Sequence, residues 1–124
     1  MLVITLRRIG RREQSTPLTS TVSEVLQIIQ TRYNERLSLT EIAREQNDSL
    51  PSLSRKFRQE TGITFSAYLQ KVRIDRSCQL LLSGTLSVAE ISQLVGYEDV
   101  RFFNSRFKQA IGFTPRQFRK MHRY

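Results

Sequence analysis

Of 124 residues, one is cysteine and one is histidine, and no long apolar run interrupts the chain. A single cysteine, Cys78, forms no internal disulfide, and its place on an apolar helical face fits a structural thiol in a reducing compartment. His122, in a charged terminal tail, has no nucleophile or base beside it. There is no cluster of metal ligands and no glycine loop to cradle a phosphate, so the sequence points to neither an enzyme nor a cofactor or metal. No stretch reaches the length of a transmembrane helix, and residues 2–6 are too short for a secretory core, so no membrane partner and a cytoplasmic place are expected. With 39 % apolar residues the chain suits one compact domain, or two very small modules sharing a helix.

What is present is positive charge. Twenty Lys and Arg face eleven acids, for a net +9 and a pI near 10.6, which favours a polyanionic partner. The excess is uneven: residues 19–62 are neutral, whereas residues 87–124 carry +4 and residues 1–18 carry +3. The first 18 residues combine apolar Leu2, Val3, Leu6 and Ile9 with Arg7, Arg8, Arg11 and Arg12, then pass into a Ser, Thr and Pro linker. Two readings compete, the end of a preceding domain and a basic arm on phosphates. The first is favoured, because apolar residues with nothing to cover are odd at a true start.

Helix-start signals recur through the rest. Thr21 with Glu24, Ser38 with Glu41 and Ser87 with Glu90 have capping-box spacing, in which hydroxyl and acid satisfy backbone N–H groups reciprocally. They predict an all-α chain. The helix after Thr21 turns Val22, Val25, Ile29 and Tyr33 inward, with Leu26 and Ile28 at its flanks, and ends near Asn34. Ser38 then caps a short helix bearing Leu39, Ile42 and Ala43, Gln46 to Asp48 make a tight turn, and Ser49 caps a second helix that stops at Gly62. That is a helix-turn-helix layout. It returns later: Ser87 caps a short helix, Gly96 makes the turn, and a helix from about Asp99 stops at Gly112. Thr114 and Pro115, as N-cap and first residue, open a last helix.

The two layouts are related. Residues 57–73 (FRQETGITFSAYLQKVR) moved forward fifty places fall on residues 107–123 (FKQAIGFTPRQFRKMHR), with Phe, Gln, Gly, Thr and Arg matched. Between them, Thr64 caps a helix that meets no breaker before Gly84, about 27 Å long. Its apolar residues form two opposed groups, Phe65, Tyr68, Leu69 and Val72 against Ile74, Cys78, Leu81 and Leu82. One half is therefore expected to pack on each module.

Each helix-turn-helix presents a basic face. In the first, Leu50, Leu53 and Phe57 mark the buried side, and Pro51, Ser52, Arg55, Arg58 and Gln59 the outer one. In the second, Phe103, Phe107, Ala110 and Ile111 mark the buried side. That leaves Arg101, Ser105, Lys108 and Gln109 outward, with Phe102 and Asn104 at the edges. Arg grips guanine O6 and N7 through two donors, Asn grips adenine, and short hydroxyls allow close approach, so both faces suit a helix in a major groove. The groove returns to one side of a duplex about every 34 Å, comparable with the joining helix plus side chains. A monomer is thereby expected to do the work of a dimer.

The segment ISQLVGYEDVRFFNSRFKQAIGFTPRQFR (residues 91–119), with IAREQ and LSRKFRQETGITFSAYLQKVRI upstream, resembles the signature of the AraC/XylS family of bacterial transcription regulators over about residues 20–122. The resemblance implies a seven-helix DNA-binding domain, residues 19–124, with helix-turn-helix units at about 38–62 and 87–112 and a linker helix at about 65–83. It implies that Pro51, Ser54 and Arg55, and Val100, Arg101, Asn104 and Ser105, approach bases. Gly96, Tyr97, Phe103, Phe107, Gly112 and Pro115 match positions that set the fold. Phosphates are assigned to Arg58, Lys108, Arg116 and Arg119. An effector-binding or dimerising domain is usual beside such a domain, and RNA polymerase subunits are further expected partners of a DNA-bound regulator. The alternative is a basic module that meets acidic proteins without reading bases. The chain departs from the pattern in four places. Ser105 replaces an Arg, with Arg106 one place later. Asn47 replaces a turn glycine, and Leu50-Pro51 inverts the usual placing of proline. Ser92 replaces an Ala, which requires its hydroxyl to bond back to the helix.

Overall fold

The computed structural model of the chain describes residues 18–122, which hold seven α-helices and no strand. In order they are α1 (Ser20–Arg32), α2 (Leu39–Glu45), α3 (Leu50–Thr61), α4 (Phe65–Ser83), α5 (Val88–Leu94), α6 (Val100–Ile111) and α7 (Pro115–Met121). Residues 1–17, on which the preceding-domain and basic-arm readings fall, lie outside the described part.

Caps set most of these boundaries. Ser38, Ser49, Thr64, Ser87 and Thr114 each accept a backbone N–H of the first turn they precede. Two capping boxes are complete. Ser87 pairs with Glu90, as its spacing predicts, and Thr114 pairs with Gln117, a box closed by an amide in place of an acid. The expected cap at Thr21 is displaced to Thr19, whose side chain accepts from Val22 N at 3.3 Å. The cause is distant in sequence: the Thr19 N–H donates to Glu60 Oε1 at 2.7 Å and its hydroxyl to Oε2 at 3.3 Å, fixing the chain on α3.

The repeat is visible as geometry. Helices α3 and α6 have 12 residues each, and both stop at a left-handed glycine, Gly62 with φ 88° and Gly112 with φ 95°. Asn47 turns the first unit with φ 56°, within reach of asparagine, where Gly96 with φ 105° turns the second. The second turn is one residue longer, four residues separating α2 from α3 and five separating α5 from α6.

The described chain falls into two units, divided between Val72 and Arg73. In the first, Val22, Val25 and Ile29 of α1 meet Ile42 and Ala43 of α2, Leu53 and Phe57 of α3, and Phe65, Tyr68, Leu69 and Val72 of α4 in one apolar cluster. Leu26, expected at a flank, is buried with them, and Tyr33 packs at the edge. Phe57 stands edge-on to Phe65 at 6.0 Å and to Tyr68 at 5.9 Å. In the second unit the buried residues include Ile74, Cys78, Leu81, Ile91, Val95, Tyr97, Phe103, Phe107 and Phe118. Its rings follow one another from Tyr97 to Phe103 (5.3 Å), Phe107 (5.8 Å) and Phe118 (5.5 Å). Each of the three phenylalanine rings contributes about 1.5–3 kcal/mol by leaving water. Burial pushes the Cys78 thiol up to about 12, with Asp75 adding to the effect.

Helix ends correct the expected cores. Leu82 is 53 % exposed, because the last turn of α4 carries it about 100° round from buried Leu81. Leu50, the first residue of α3, is 41 % exposed, and Ala110, in the last turn of α6, is exposed beside half-buried Ile111. A further correction concerns Ser92. Its hydroxyl does not bond back to the helix: Oγ is buried and no protein group pairs with it. Ser92→Ala is therefore expected to stabilise the fold by about 1 kcal/mol, read as a higher urea midpoint. A lowered midpoint would show that the hydroxyl is satisfied.

Candidate nucleic-acid interface

In α3, Leu53 and Phe57 are fully buried, which fixes the rotation of the helix and turns Pro51, Ser54, Arg55, Arg58 and Gln59 to the exposed side. Ser52 is half-buried, its N–H donating to Ser49 Oγ at 3.2 Å. Pro51 is second in the helix, where its missing N–H leaves no bond unmade. Lys56 is not part of this face. Its ammonium donates to Asp48 Oδ2 at 3.0 Å, and that bond, with help from Ser52 and Ser49, holds the Asp48 carboxyl below its ordinary range.

In α6, Phe103 and Phe107 are fully buried, and Arg101, Ser105, Lys108 and Gln109 are exposed. Val100 and Asn104 are half-buried and line an open groove with Ser87, Thr114, Arg116 and Lys120. The groove thus brings Val100, Asn104, Arg116 and Arg119 together, while Arg101, Ser105 and Lys108 lie on the exposed face of α6. Arg101 has a side chain 89 % exposed, with Nη2 3.4 Å from Asp99 Oδ2. Asp99 is also the cap of α6, accepting from Arg101 N at 2.8 Å. These bonds, the backbone one first, keep its carboxyl below the usual range.

Two arginines are committed elsewhere. Arg106 lies over the ring of Phe102, 4.8 Å from its centroid, and its Nη1 donates to Gln109 at 3.0 Å. Phe102 is itself 47 % exposed. Arg119 is half-buried, donating from Nε to the Leu81 carbonyl at 3.1 Å, with Nη2 buried. It thereby closes an unsatisfied carbonyl near the end of α4, a structural task that spacing does not disclose. Arg116 is exposed on the first turn of α7.

Among the described residues no three His, Cys, Asp or Glu are grouped to hold a metal, and no helix is long and apolar enough to cross a membrane. A family model described as a helix-turn-helix domain matches residues 42–121. The C-terminal domain of AraT, a response regulator from Geobacillus stearothermophilus, is 36 % identical, with a TM-score of 0.82 over 86 % of this chain and 88 % of that one. This chain belongs to the AraC/XylS family. Its match is to the DNA-binding domain of such regulators. The Msm operon regulatory protein of Streptococcus mutans is 36 % identical over 108 residues, 87 % of this chain, and the chain spans 39 % of that protein's length. The same fold is found at 22 % identity and a TM-score of 0.79, over 85 % of this chain and 95 % of the other, in the DNA-binding domain of the transcriptional factor AdpA, solved with a target DNA.

Proposed function

We propose that this AraC/XylS domain binds duplex DNA sequence-specifically and regulates transcription, with α3 and α6 in successive major grooves of an asymmetric site. One observation carries the reading. Two helices of equal length, each capped at both ends and each rotated by a pair of fully buried side chains, present exposed faces that are basic but not identical. Pro51, Ser52, Ser54 and Arg55 read bases from α3, and Val100, Arg101, Asn104 and Ser105 from α6. Arg58, Lys108 and Arg116 hold phosphates, joined by whatever Arg119 offers beyond its bond to Leu81. The fold shared with AdpA, a domain solved on DNA, supports the same use.

The domain acts as part of a cytoplasmic regulator in which residues 19–124 form the DNA-binding part and residues 1–18 lead from an effector-binding or dimerising domain. RNA polymerase subunits are its further partners. Selection of bound duplexes from a random pool tests the core of this. Enrichment of one asymmetric sequence is the expected outcome. Equal retention of random and enriched duplexes at moderate salt would overturn it and favour a module that meets acidic proteins.

A further inference from the structure

We infer that Asp99 is a positioning residue for base recognition, holding the Arg101 guanidinium by one edge so that its other edge is left as the fork that reads a guanine. The inference rests on the reading of α6 as a recognition helix. Arg101 has five N–H donors in a plane. Asp99 lies 3.5 Å from Nε and 3.4 Å from Nη2, which are the two nitrogens of one edge. The remaining edge, one N–H from each terminal nitrogen, keeps the parallel pair that matches guanine O6 and N7. The pair therefore leaves the reading edge unused.

Asp99 is well placed to do this because it is itself fixed. Its Oδ1 accepts from the Arg101 backbone at 2.8 Å, so one carboxylate addresses both the main chain and the side chain of the same residue. A long exposed arginine otherwise orders its side-chain torsions only on binding, a cost that a prior partner reduces. The negative charge also disfavours a phosphate beside it, which turns Arg101 from the backbone towards a base edge. In water such an exposed pair adds little to stability. Its effect lies in discrimination, once DNA excludes solvent and the interaction strengthens.

The test compares duplexes selected from a random pool by the unaltered chain, by Arg101→Ala and by Asp99→Asn, with thermal melting of all three. Asparagine still caps a helix about as well as aspartate but has neither the charge nor the second acceptor. Arg101→Ala is expected to lose preference for guanine at one base pair by about 5- to 150-fold. Asp99→Asn is expected to lose the same preference by about three- to tenfold, keeping every other position and its melting temperature. Full retention of that preference by Asp99→Asn would overturn the inference. So would a change at a different base pair, or a uniform loss of affinity with a lower melting temperature, which marks a cap alone. Unchanged selection by Arg101→Ala also overturns it while leaving DNA binding in place. No enrichment by the unaltered chain removes both this inference and the reading beneath it.

Discussion

Phe57→Ala is expected to cost roughly 3–5 kcal/mol, the range for truncating a buried phenylalanine. Phe57 is fully buried and touches Phe65 and Tyr68 edge-on, so its loss empties the contact between α3 and the first half of α4. A small domain has about 5–15 kcal/mol of stability in all, and the change removes a large share of it. The melting temperature is expected to fall by more than roughly 10 °C. DNA binding should fail with it, because the buried position of Phe57 and Leu53 is what aims Arg55 outward. A melting temperature within two or three degrees of the parent, an interval of roughly half a kcal/mol, would mean that the site collapses around the gap.

The second large effect is of salt. Each phosphate contact contributes about −0.9 to the slope of log affinity against log salt. Three contacts, from Arg58, Lys108 and Arg116, give a slope of about −2.7, and affinity falls about 40-fold from 50 to 200 mM salt. A fourth contact from Arg119 makes the slope about −3.6 and the fall about 150-fold. Titration of the selected duplex separates the two cases. Arg119→Ala is expected to change the slope by less than Lys108→Ala does and to lower stability instead, since its Nε is bound to Leu81. A slope near zero would deny that phosphates hold the domain at all.

Local features of the chain were largely legible from sequence. Hydroxyl caps, left-handed glycines and the opposed apolar groups of the linker helix are decided within one or two turns, and Ser49, Thr64, Gly62 and Gly112 all sit where spacing places them. What spacing missed depends on residues far apart or on the ends of elements. Thr19 displaces Thr21 because Glu60, 41 residues later, takes its N–H. Leu50, Leu82 and Ala110 share the apolar character of their neighbours but lie in first or last turns, where one residue carries a side chain off the buried stripe. At the candidate interface the exposed arginines were found by their face, but their partners were not. An acid capping a helix two residues before an arginine, as in Asp99 and Arg101, is a readable signal. Arg119 on a carbonyl 38 residues away leaves none.

The most direct measurement of the central claim pairs Arg55→Ala with Arg101→Ala on the selected site, scoring every base pair. Each change is expected to cost about 1–3 kcal/mol and to relax one position, the two positions lying about 10 base pairs apart, one helical turn. Relaxation of the same position by both variants, or of none by either, would contradict two separate readers in one chain.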